Sequence, residues 1–214
     1  MAISAASRAR RRHCLILSIL VILLAPEASA QSRYPVYPAI PNPGQPSHVL
    51  SGEFTGDGIP DLAAASPGDG RIRVHARNAD GEFQGGISVL VGGSPFGLFA
   101  ADFDRDQDLD LAWVDAETGA VGVLLFSAGN PPDYTVLRQP GSDEPTGVVL
   151  ADVDDDGWKD LLAAHGGADE VVTYPNLQGD LGPGSPEPAG DRPDRLVLLE
   201  HEGGPTLALR QSGR

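Results

Sequence analysis

Three stretches of this chain align without a gap over ten positions. They are Glu53-Phe-Thr-Gly-Asp57-Gly58-Ile-Pro-Asp61-Leu62, Asp102-Phe-Asp104-Arg-Asp106-Gln107-Asp108-Leu-Asp110-Leu111 and Asp152-Val-Asp154-Asp-Asp156-Gly157-Trp158-Lys-Asp160-Leu161. They recur at intervals of about 50 residues, each behind a small residue (Gly52, Ala101, Ala151) and ahead of a short apolar run. Self-similarity at a fixed period is the mark of a repeat architecture, in which each copy is one supersecondary unit that buries its apolar face against the next.

The surroundings repeat as well. After the runs Leu62–Ala65, Leu111–Val114 and Leu161–Ala164 come Gly-containing turns, then β-prone segments at 71–77, 120–126 and 170–174. Ile72, Val74 and Ala76 alternate with polar residues, the period-two pattern of a half-buried strand. Further turns, such as Asn130-Pro-Pro-Asp133, and β-prone stretches at 88–91 and 135–137 lead to 98–101 and 148–151, which enter the next loop. That predicts about four short strands per repeat. The 27 Gly and 19 Pro residues agree with many turns. No segment of useful length shows a helical period with caps.

The flanks differ from the repeats. Arg8, Arg10, Arg11 and Arg12 precede an apolar run from Cys14 to Ala25, and Ala28-Ser-Ala30 closes it with small residues. This is the layout of a secretory signal peptide, with cleavage expected after Ala30, and the run is short for a transmembrane span. The predicted locale is therefore secreted: periplasmic, extracellular or cell-surface, with no stable membrane insertion after cleavage. Residues 31–46 form a Pro-rich lead-in carrying Tyr34 and Tyr37, 47–182 the three repeats, and 183–214 a linker with room for a degenerate fourth repeat.

Charge narrows the partners. The formal net charge is −15, and loss of the Arg-rich leader makes the remainder more acidic still. Nucleic acid and anionic lipid are excluded as natural partners, and a cation is the natural counter-species. The single cysteine lies in the leader, so burial or metal must stabilise what remains.

In the third copy, carboxylates at positions one, three, five and nine (Asp152, Asp154, Asp156, Asp160) converge if the chain turns sharply, and Gly157 at position six permits the turn. Crowded carboxylates repel unless protonated or matched by a cation. A hard divalent ion taking roughly six to eight oxygens suits them, with a backbone carbonyl near Trp158 and waters completing the shell. Calcium is favoured over magnesium by the number of ligands. The second copy offers Asp102, Asp104, Asp106 and Asp110, with Asp108 beside them, but Gln107 replaces the glycine, a strain of about 1 kcal/mol in a left-handed turn. The first offers Glu53, Thr55, Asp57 and Asp61, a less charged set. An EF-hand is excluded because position twelve is Ala64, Trp113 or Ala163 inside an apolar run.

These segments resemble FG-GAP/VCBS repeats, the blades of integrin-α-like β-propellers, whose usual form runs roughly GDFNGDGxxDL. The resemblance spans about residues 47–182 and departs from the pattern at Glu53, Thr55 and Gln107. It implies an all-β chain, a partial or small β-propeller of three to four four-stranded blades, with calcium held in a loop between adjacent strands. Closed propellers use roughly four to eight blades. Here the tail completes a small ring, chains associate through open blade edges, or the sequence is a fragment of a longer ancestor.

The resemblance further implies a calcium-stabilised scaffold whose partner is an extracellular protein or glycan. The competing class is a metal-dependent extracellular hydrolase, or an accessory domain of one. His48, His75, His165 and His201 are scattered, no Gly-x-Ser-x-Gly elbow is present, and the carboxylates sit at periodic positions already explained by an ion. A non-enzymatic scaffold is expected. Trp113 is expected in the core, His165 as a polar strand end, and Trp158 exposed in its loop.

Overall fold

The computed structural model describes residues 40, 42–127, 133–201 and 204–211. The leader, the lead-in through Ala39 with Tyr34 and Tyr37, and the turn before Asp133 lie outside the described residues. The described strands belong to one compact unit, Ile40–Arg214. Among the described residues no helix is long and apolar enough to cross a membrane.

Each repeat folds as one antiparallel four-stranded sheet in chain order. The first holds β1 (His48–Gly52), β2 (Asp61–Ser66), β3 (Arg71–His75) and β4 (Ile87–Leu90). The second holds β5 (Pro95–Ala101), β6 (Asp110–Asp115), β7 (Val121–Ser127) and β8 (Asp133–Gln139). The third holds β9 (Pro145–Ala151), β10 (Asp160–His165), β11 (Glu170–Tyr174) and β12 (Ser185–Pro188). A final hairpin pairs β13 (Pro193–His201) with β14 (Gly204–Gln211). The architecture is thus three blades and a two-stranded sheet, an open propeller.

The linker expected from residue 183 onward is corrected at its start, because Ser185–Pro188 is the outer strand of the third blade. Pro186 and Pro188 argue against a strand by composition. They are tolerated because, among the described strands, β12 pairs only with β11, and an outer edge needs no outward donor.

The blades stack face to face, which explains why the second strands are apolar at each of their four central positions. Leu111 and Trp113 of β6 meet Ala63, Ile72 and Val74 of the first blade, together with Phe54 and Phe126. Ala112 and Val114, on the opposite face of β6, meet Leu161, Ala163, Val172 and Tyr174 of the third. Alternate residues of one strand therefore feed two cores. On the far side of the third blade, Leu162 and Ala164 pack with Leu196 of β13. The innermost strands lie side by side, β1 by β5, β5 by β9 and β9 by β13. The hairpin continues the stack as the inner half of a blade, and among the described strands β14 pairs only with β13.

One repeat position ties each blade to the linker entering it. Ser66, Asp115 and His165 end β2, β6 and β10, and all are fully buried. The Ser66 hydroxyl donates to Asn42 Oδ1 at 3.1 Å, Asp115 Oδ1 accepts from the Ser94 amide at 2.9 Å, and His165 Nδ1 faces the Ser142 carbonyl at 3.0 Å. Asp115 also pairs with Arg138 at 2.8 Å, whose guanidinium lies over Trp113. Burial pushes the Asp115 carboxyl up, but the Ser94 amide and the other donors around it hold it below its usual value. His165 donates through Nδ1, its Nε2 has no partner, and burial lowers its pKa.

Two outcomes follow. A Cβ on Gly122 would stand 2.6 Å from both the Trp113 ring and the Leu137 carbonyl, whereas one on Gly85 meets open space. Gly122→Ala should cost about 1–3 kcal/mol and Gly85→Ala less than about 0.5 kcal/mol, read from urea unfolding. For His165 the folded pKa lies below the unfolded value, so its contribution is present above that value and is lost as pH falls through it. The melting temperature of the unmodified chain should therefore drop more steeply between pH 7 and pH 5 than that of His165→Asn, which keeps a donor toward Ser142.

Candidate metal centre

The acidic segments are the loops 53–60, 102–109 and 152–159, each joining the first strand of a blade to its second. Their backbones match. Position four is left-handed at Gly56, Arg105 and Asp155 (φ 74°, 65° and 61°), and position six at Gly58, Gln107 and Gly157 (φ 79°, 78° and 89°). The strained turn expected at Gln107 is present. The second turn, at position four, was missed, and its one signal was Gly56, since Arg105 and Asp155 conceal it. Each non-Gly residue there costs about 1–2 kcal/mol, so the loop shape is held by something stronger than local preference.

That something is the ninth-position aspartate. Asp61, Asp110 and Asp160 open the second strands and are almost completely buried. In each copy Oδ2 accepts the position-two amide: Phe54 at 3.1 Å, Phe103 at 2.7 Å and Val153 at 3.2 Å. Oδ1 accepts an amide sixteen residues on: Arg77 at 2.9 Å, Phe126 at 2.9 Å and Asn176 at 2.8 Å. One carboxylate so pins the loop to the chain at the end of the third strand. Burial pushes the Asp110 carboxyl up to about 7 against the pull of its two amides, with Asp104 and Asp106 adding to the rise. Asp160 is raised by burial in the same way, with Asp154 and Asp156 contributing.

Positions one, three and five converge above this support. Asp102, Asp104 and Asp106 bring carboxylate oxygens within 4.8 Å of one another, and so do Asp152, Asp154 and Asp156; among the described residues these are the two such groups. The loop amides set their orientation. Asp102 Oδ2 accepts from Gln107 at 3.2 Å and Asp152 Oδ2 from Gly157 at 2.9 Å, while Asp106 and Asp156 accept from Asp108 and Trp158. The other oxygens of Asp102 and Asp152, Oδ1 in both, are buried with no hydrogen-bond partner. A buried acceptor without a hydrogen-bond partner at the same atom of two repeats is a ligand that suits a cation. Burial, and then Asp106, push the Asp104 carboxyl up, the cost of crowding like charges.

The remaining residues named from sequence are placed differently. Asp108 and Trp158 occupy position seven and give their amides to Asp106 and Asp156. In the first loop Glu53 Oε1 accepts from Thr55 at 2.9 Å and Gly56 at 2.7 Å, the Thr55 hydroxyl donates to Asp61 at 3.0 Å, and Asp57 accepts from Ile59 at 2.8 Å. That loop is closed by its own hydrogen bonds, and Glu53, Asp57 and Asp61 form no such cluster.

Sequence reasoning missed Asn176, which is buried and donates through Nδ2 to the carbonyls of Phe103 at 2.8 Å and Lys159 at 3.1 Å. It also missed Arg105, which donates to the Gly157 carbonyl and stacks over Trp158. Both join the second loop to the third, a tertiary relation with no periodic signal. Trp113 is sealed in the core and Trp158 is half-buried.

A family model described as an FG-GAP-like repeat matches residues 54–113 and 102–163, together just over half of the chain. No curated protein matches the chain.

The pinning role gives a direct test. Asparagine at position 110 or 160 sets an amide nitrogen against a backbone N–H, leaving a buried donor unpaired. Asp110→Asn or Asp160→Asn should each cost about 1–3 kcal/mol in chelator, by urea unfolding. Asp57→Asn, at an exposed site that accepts a single loop amide, should change stability by less than about 0.5 kcal/mol.

Proposed function

The chain belongs to the FG-GAP-like repeat family, and on that premise we propose that it is a secreted, calcium-binding scaffold whose loops engage an extracellular protein or glycan. The observation that carries the calcium reading is the pair of buried, unpartnered oxygens on Asp102 and Asp152, each beside two further carboxylates. The donors are all hard oxygens, which suit calcium and give no site for a soft metal. Asp102, Asp104 and Asp106 would hold one ion, and Asp152, Asp154 and Asp156 another. The ion would set two positive charges against three crowded carboxylates and tie the loop to itself.

The scaffold reading rests on the family and on the architecture, in which repeated loops gather at one end of a stack of blades. The layout of residues 1–30 supports export, and an exported chain meets calcium where it is plentiful. Adhesion is the corresponding role.

Thermal melts of the mature chain in calcium and in chelator test the reading. At calcium one hundred times Kd, an ion binding only the folded state adds about 2.7 kcal/mol per site, and one such site raises the midpoint of a chain this size by roughly 5–10 °C. Asp152→Asn combined with Asp154→Asn should remove the contribution of the third loop. A midpoint identical in calcium and chelator would reject calcium binding.

A further inference from the structure

We propose that Arg105 is a positioning residue for the third loop, so that an ion in the second loop raises calcium affinity in the third; this rests on the calcium reading above. Arg105 is the fourth residue of the second loop and lies in sequence between Asp104 and Asp106, two carboxylates of its own site. Its guanidinium nonetheless crosses to the third loop, where it donates to the Gly157 carbonyl and lies 4.7 Å from the centre of the Trp158 ring.

Those contacts fall on the part of the third loop that aims its ligands. The Gly157 amide donates to Asp152 Oδ2 at 2.9 Å, and the Trp158 amide donates to Asp156 Oδ1 at 2.7 Å. Arg105 therefore grips the residues whose N–H groups orient Asp152 and Asp156, two of the three carboxylates of the triad. Beneath it, Asn176 Nδ2 spans the carbonyls of Phe103 and Lys159 and fixes the spacing of the two loops. Position four is Gly56 in the first loop and Asp155 in the third, so of the three loops only the second carries a cation at that position.

The sign of the coupling follows from charge. In the metal-free second loop, Asp104 and Asp106 compete for the guanidinium with the Gly157 carbonyl and the Trp158 ring. A divalent ion satisfies those carboxylates and removes the competitor, which favours Arg105 on the third loop. Direct repulsion between cations acts the other way, but Arg105, Asp106, Asp154 and Asp156 are solvent-exposed and a Debye length of about 8 Å at physiological salt screens it. Linkage then requires the third site to raise the affinity of the second equally.

Calcium titration of the full chain by calorimetry and by Trp158 emission tests this, with the sealed Trp113 as a constant background. Arg105→Ala should weaken the third site by roughly fivefold or more. Arg105→Lys should recover only part of the loss, because an ammonium lacks the planar stacking surface. Disabling the second site with Asp104→Asn and Asp106→Asn should weaken the third by a similar factor, and adding Arg105→Ala should cause no further loss. In chelator, Arg105→Ala should shift Trp158 emission, a readout that needs no ion. Unchanged third-site affinity in Arg105→Ala, fully additive losses, or an unshifted metal-free emission would each overturn the proposal. An unmodified chain that binds no calcium, yet shows the emission shift, rejects the calcium reading instead and takes the coupling with it.

Discussion

A buried aspartate at the foot of each acidic loop is the interaction on which the rest depends. It accepts one amide from within the loop and another from the end of the third strand, with the same sequence offsets in all three blades. A carboxylate taken out of water is costly unless its lone pairs are satisfied, and hydrogen bonds to a charged acceptor are among the stronger ones. Two amides per carboxylate make the site tolerable and leave one geometry for the loop. Left-handed backbone at Arg105, Gln107 and Asp155 persists because this anchor sets the loop's path, whichever residue occupies the turn.

The stacking of blades supplies the second constraint. β6 and β10 are buried at every position, since both faces meet a neighbouring sheet. Small residues are needed for that approach, and Ala63, Ala65, Ala112, Ala163 and Ala164 provide it. Gly122 does the same beneath Trp113. The residue ending the second strand then bonds the incoming linker with a hydroxyl, a carboxylate or an imidazole. What the position conserves through these three chemistries is a polar atom in reach of the linker.

Much of this was legible in the sequence because it is periodic. The aspartate spacing set the register of the blades, and period-two alternation marked strands such as Arg71–His75. What escaped was either masked by composition or created by packing. β12 was hidden by Pro186 and Pro188, whose missing donors matter only for a strand with neighbours on both sides. Asp160 and Asp156 look alike in sequence, yet one faces the interior and anchors backbone while the other is exposed and clusters with Asp152 and Asp154. Asn176 and Arg105 carry no local signal, because their partners lie in another blade's loop.

The first loop shares the backbone of the other two but not their cluster of three carboxylates. Glu53 carries one methylene more than Asp102 or Asp152, enough for its carboxylate to accept from both Thr55 and Gly56. Thr55 turns its hydroxyl to Asp61 and leaves no third carboxylate above the anchor. The backbone keeps its two left-handed turns regardless. The fold of the loop is therefore independent of a cation, being set from below by Asp61. In the second and third loops the same backbone instead aims three carboxylates at one point and leaves Asp102 Oδ1 and Asp152 Oδ1 open. An ion bound there would act on a loop already shaped, so its binding energy would go into stabilising the native state rather than into folding the loop.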